Sequence, residues 1–92
     1  MTITDLELRN LIEAGDIGVY RHPVIGLRVY AITNVPTGRS STYVGSELLV
    51  DNPIRSWVIE MIESNELVIN YLDGAKIYNG IHIEVWFLNY AE

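Results

Sequence analysis

His82 and Glu84 stand two residues apart in a stretch, Ile81 to Tyr90, that reads as a β-strand, so their side chains should share one face. An imidazole beside a carboxylate can take and return a proton, the pairing that general acid–base catalysis uses. The same spacing also describes an ordinary surface pair across a ladder, and no third group completes a site around it. His22 precedes Pro23 and reads as a turn residue. There is no cysteine, and neither histidine has a carboxylate at the spacing of a metal site. Gly38-Arg39-Ser40 looks like the end of a phosphate-binding loop, but that motif requires a lysine at position 39 and a glycine at 33. The chain has Arg39 and Thr33 there. The serines at 40, 41 and 46 have no base that the sequence identifies. These residues compose no catalytic constellation, so the expectation is a protein that is not an enzyme and carries neither metal nor cofactor.

Binding chemistry is better represented. The formal net charge is −6, with six Lys+Arg against twelve Asp+Glu. It divides unevenly: −3 over residues 1–16, +3 over 17–46, which contain no acid, and −6 over 47–92. Glu60, Glu63, Glu66 and Asp51 fall in the last block and could present negative charge to a basic protein partner. The middle block offers the opposite. Arg21, Arg28 and Arg39, with Ser40, Tyr30 and Tyr43, could hold an anionic small molecule such as a nucleotide, because arginine grips phosphate with two parallel hydrogen bonds. The overall negative charge speaks against direct binding of nucleic acid.

Two helices and a set of strands must position these groups. Thr4-Asp5-Leu6-Glu7 is a capping box, with Ile3 and Leu8 spaced as a hydrophobic staple. Leu8, Leu11 and Ile12 form the buried stripe, and Gly15 ends the helix. Three strands follow, near 18–21, 27–33 and 40–45, and are expected to pair as an antiparallel meander. In the second of them Leu27, Val29 and Ala31 alternate with Arg28, Tyr30 and Ile32. Asn52-Pro53 opens a second helix whose apolar stripe is Ile54, Trp57, Val58, Met61 and Ile62. After Ser64-Asn65 comes a strand over 67–72. Asp73-Gly74 and Asn79-Gly80 then read as two tight turns around a short strand 75–78, placing Ile69 beside Tyr78 and Tyr71 beside Lys76. One long hairpin loop is the other option. The order α-β-β-β-α-β-(β)-β predicts one α+β domain over 1–92, two-layered, with a mostly antiparallel sheet covered by two amphipathic helices.

Both faces of the last strand are apolar. Ile81, Ile83, Val85 and Phe87 lie on one, Trp86, Leu88 and Tyr90 on the other. If two helices cover a single face, Trp86, Leu88 and Tyr90 need another cover, and aromatic residues of this kind concentrate at interfaces. That cover could be a partner, a second copy of the chain, or other parts of the monomer.

The first residues carry acids where a secretory signal would carry bases, and no apolar run approaches the roughly 18 residues that cross a membrane. A cytoplasmic protein without membrane attachment is expected. In size, acidity and helix-plus-sheet make-up the chain is similar to small inhibitors such as anti-CRISPR and nuclease-immunity proteins of phage and bacterial conflict, a resemblance of class carried by no particular residues. It implies a non-catalytic protein that binds and blocks a larger basic or nucleic-acid-handling partner.

Overall fold

The computed structural model describes residues 3–34, 43–78 and 82–92. Helix α1 (Asp5–Glu13) is followed by strands β1 (Ile17–His22), β2 (Gly26–Asn34) and β3 (Tyr43–Glu47). Helix α2 (Pro53–Glu63) then leads to β4 (Leu67–Tyr78) and β5 (His82–Tyr90). The fold is α+β with a mostly antiparallel sheet, and the expected β1-β2-β3 meander is present. No helix among the described residues is long and apolar enough to cross a membrane.

Both helices begin and end as their sequences dictate. The Thr4 hydroxyl accepts from the Glu7 N–H at 3.1 Å, and the Glu7 carboxylate accepts from the Thr4 N–H at 3.1 Å. At the other end Gly15, at φ +79°, lets the Asp16 N–H reach back to the Leu11 carbonyl at 2.9 Å. Asn52 caps α2 by accepting from the Ile54 N–H at 2.9 Å. Asn65, at φ +65°, performs the turn that Gly15 performs in α1, with the Glu66 N–H donating to the Met61 carbonyl at 2.8 Å.

The sheet closes on itself. β3 and β4 pair in parallel through Tyr43↔Ile77 and Val44↔Tyr78, and β1 meets β5 through Gly18↔Phe87 and Val19↔Trp86. Closure divides the apolar residues between two cores. Tyr30, Ile32, Ala75, Ile77 and Val85 fill the barrel. Leu8 and Ile12 of α1 and Val58 of α2 pack with Val19, Val29, Leu67 and Leu88 on the outside of it. The barrel is narrow: a Cβ on Gly18 would come within 2.8 Å of Ile32 and 2.9 Å of Val85, so a side chain at that inward position would force its neighbours to shift.

Closure also corrects the reading of the last strand. Its first face, with Val85, turns into the barrel, so the sheet covers that face itself and the helices are free for the other. Leu88 is consequently 3% exposed, and Trp86 and Tyr90 pack partly buried against the same helix-facing core. The cover that these three residues require comes largely from the chain itself.

A second correction concerns Asp73-Gly74. It is no hairpin turn: both residues lie within β4, at an irregularity where the step from Asn70 to Gly74 faces the single step from Phe87 to Trp86. Three residues, Tyr71, Leu72 and Asp73, are extra. Because three is odd, the insertion exchanges the faces of the strand: Leu67 and Ile69 point to the helices, whereas Ala75 and Ile77 point into the barrel. Residues 75–78 therefore continue β4, and Ile69 pairs with Leu88 rather than lying beside Tyr78. Asn79-Gly80 lies outside the described residues.

Candidate functional site

Three features meet where β2 ends and β3 begins. The α1 terminus leaves Gly15 without a side chain, and the edge of the Phe87 ring comes within 3.5 Å of where a Cβ would stand. The β4 insertion brings Asp73 to the same rim, and Tyr43 opens β3 there. Together with Arg9 and Glu13 of α1 and residues 88–92 they enclose an open hollow of about 960 Å³. Leu72 on the insertion is 97% exposed, and its N–H donates to the Asn70 side chain at 3.0 Å. Tyr71 sets its edge against Trp86, ring centres 5.9 Å apart, and the Trp86 ring lies over Gly74, where a Cβ would meet it at 2.7 Å.

A second hollow of about 490 Å³ lies between α1 and the end of α2, lined by Asp5, Trp57, Met61 and Glu66 among others. Arg9, Tyr90 and Ala91 line both hollows, so the two adjoin at these residues and make a bipartite groove. There the Arg9 guanidinium sits 4.1 Å from the centre of the Tyr90 ring, a cation–π contact. Burial pushes the Tyr90 phenol above its ordinary pKa; Arg9 opposes this, while Glu13, Asp5 and Glu66 add to it.

The opposite rim of the barrel is occupied. Arg28 shares the inward face of β2 with Tyr30 and Ile32, and its guanidinium pairs with the Glu47 carboxylate. The Tyr30 phenol beside them is raised by burial first and by Glu47 second, with Arg28 acting the other way. At the adjoining turn His22 Nδ1 accepts from the N–H groups of Val24 and Ile25, at 3.0 and 3.1 Å. His22 is thereby engaged in organising the turn.

The residues singled out in the sequence distribute as follows. Glu60, Glu63, Glu66 and Asp51 are all exposed, and Glu66 also borders the groove. Tyr90 lies in the groove, and Tyr43 on its rim. Arg21 and Arg28 are neighbours by one residue on paired strands, Arg21↔Leu27 and Tyr20↔Arg28, and so point to opposite faces of the sheet. Tyr30 is buried inside the barrel. Arg39 and Ser40 lie outside the described residues. Glu84 faces Lys76 across the β4–β5 ladder, and the His82 side chain is not among the described ones. Among the described residues no group of His, Asp and Glu has the geometry of a metal site.

No site role was expected from the sequence for Asp5, Arg9, Glu13, Asp73 or Phe87. For the first three a signal exists: they recur every fourth residue and so line one face of α1. For Asp73 and Phe87 none does, because the insertion and the barrel mouth that join them are properties of the closed sheet. No protein-family model matches the chain, and neither a curated protein nor a solved structure matches it significantly.

Proposed function

We propose that this is a non-catalytic interaction protein of the cytoplasm that binds a larger protein through a basic surface and blocks it. The observation that carries the reading is the state of its acids. Glu60 and Glu63 stand exposed on α2, with Asp51 before the helix and Glu66 after it, and none of the four is ion-paired among the described residues. Unpaired surface carboxylates in such density create a field that steers and orients a basic partner. Basic surfaces are characteristic of proteins that handle nucleic acid, so an acidic protein seated on one would compete with that nucleic acid. Exposed Leu72 and half-exposed Tyr71 add apolar area of the kind interfaces bury. The anion-binding alternative gains nothing from the geometry, since Arg28 is engaged by Glu47 and Arg21 points to the other face.

Affinity capture at low and high salt, with wild type and a Glu60→Lys/Glu63→Lys variant, tests the reading. Wild type should retain a basic protein in a salt-sensitive manner and inhibit it once purified, and the variant should lose it. Equal retention by both proteins would overturn the proposal.

A further inference from the structure

We infer that the groove across Tyr90 receives an extended segment of the partner bearing arginine or lysine side chains, one of which takes the place on the Tyr90 ring that Arg9 holds in the free protein. The inference rests on the reading that the partner is basic and adds where, and by what chemistry, it is gripped.

Shape comes first. The groove consists of two adjoining hollows that share Arg9, Tyr90 and Ala91 in their linings, so an occupant that reaches both is a length of chain rather than a compact ligand. Charge comes second. Among the described residues Asp5, Glu13, Glu66, Asp73 and Glu92 line it, against the one base Arg9. Glu13, Asp5 and Glu66 all act on the Tyr90 phenol, which places their fields at the centre of the groove. Aromatic content comes third: Tyr43 and Phe87 border one hollow, Trp57 the other, and Tyr90 lies between. A ring face with carboxylates around it attracts a guanidinium or ammonium through both its quadrupole and the surrounding charge. The molecule already contains one example, since Arg9 occupies the Tyr90 face at 4.1 Å.

Arg9 is thus an internal competitor. Removing it frees the ring and makes the groove more negative, so the Arg9→Ala variant should bind a basic segment more tightly. This separates the inference from a general attraction of opposite charges to the acidic α2 face. A second copy of the chain is a poor occupant, because at −6 each copy would bring mostly carboxylates to carboxylates.

The test uses a synthetic peptide of alternating arginine and glycine, with a glutamate–glycine peptide as control, titrated into the full-length chain. Binding is followed by calorimetry and by backbone amide chemical shifts. The arginine peptide should shift Tyr43, Phe87, Tyr90 and Ala91. Arg9→Ala should tighten it by about threefold, and Glu13→Gln/Asp73→Asn should weaken it by about fivefold. The inference is overturned if the peptide fails to bind, if its shifts centre on Glu60 and Glu63, or if Arg9→Ala leaves the affinity equal or weaker. A dimer in sedimentation that is lost in Tyr90→Glu would overturn it too, by giving the groove to a second copy. Each of these results leaves the capture experiment with Glu60→Lys/Glu63→Lys to judge the proposed function on its own.

Discussion

At the rim where β2 begins, Arg28 on the inner face of the barrel is neutralised by Glu47, and Tyr20 and Tyr30 stand close beside the pair. At the rim where β2 ends, the polar groups among the described residues include Asp73, Glu13, Glu92, Arg9 and the phenol of Tyr43, set around the Phe87 ring and an open hollow. Both rims are built from the same five strands, yet one satisfies its charges internally and the other turns them outward. The difference shows how a small barrel can spend one end on stability and keep the other for recognition. A partly buried ion pair fixes a position at the cost of desolvation, whereas unpaired carboxylates remain available to an incoming cation.

Breaking the closed rim should have the largest effect. Glu47→Ala leaves the Arg28 guanidinium partly buried without its partner and should destabilise the fold by about 1–3 kcal/mol in urea unfolding. Glu47→Leu/Arg28→Met removes both charges and should recover most of that loss. If the double variant is as unstable as the single one, the pair is not what closes this rim.

The two raised tyrosines sharpen the contrast through pH. A phenol whose pKa is higher in the folded protein favours the folded state while it stays protonated. That contribution is complete below the ordinary value of 10.0 and is lost as the pH climbs through the raised one. Stability should therefore fall above about pH 10, less steeply in Tyr30→Phe than in wild type. Arg9→Ala removes a group that lowers Tyr90, so a tyrosinate absorbance titration should show the Tyr90 step moving further up while the Tyr30 step stays in place. Movement of both would mean that the rims are coupled.

The smallest expected effect is at the open rim. Glu13→Gln/Asp73→Asn removes two exposed charges with no ion pair among the described residues, and stability should change by no more than about 0.5 kcal/mol. A loss comparable with that of Glu47→Ala would show that these carboxylates are structural after all.

Much of this architecture was legible in the sequence, and the legible part was local. The Thr4 capping box, the Asn52-Pro53 start, the terminating Gly15 and the stripes of both helices each depend on residues within about two turns of one another. The alternation of Leu27 and Val29 with Tyr30 and Ile32 likewise gave the two faces of β2 correctly. What failed to read was the insertion at 71–73. Asp-Gly is a strong turn signal, but whether it closes a hairpin depends on what lies across the ladder, and here β5 continues past it. The groove stayed hidden for a related reason: of its acids only those on α1 have a periodic signature, and the rest converge from the α2–β4 connection, from β4 and from residue 92.

The amino-acid order by itself determined where helices start and stop, which residues of each strand are apolar, and that the charges fall in three blocks. Tertiary structure decided what those residues face. Because the sheet closes, the inner face of β5 is covered by other strands and the outer face by helices, so Leu88 belongs to the core instead of a partner. Because a three-residue insertion reverses strand parity, Asp73 emerges beside Phe87 at the rim where β2 ends. Closure and parity are relations between distant segments, and periodicity within one segment carries no record of them.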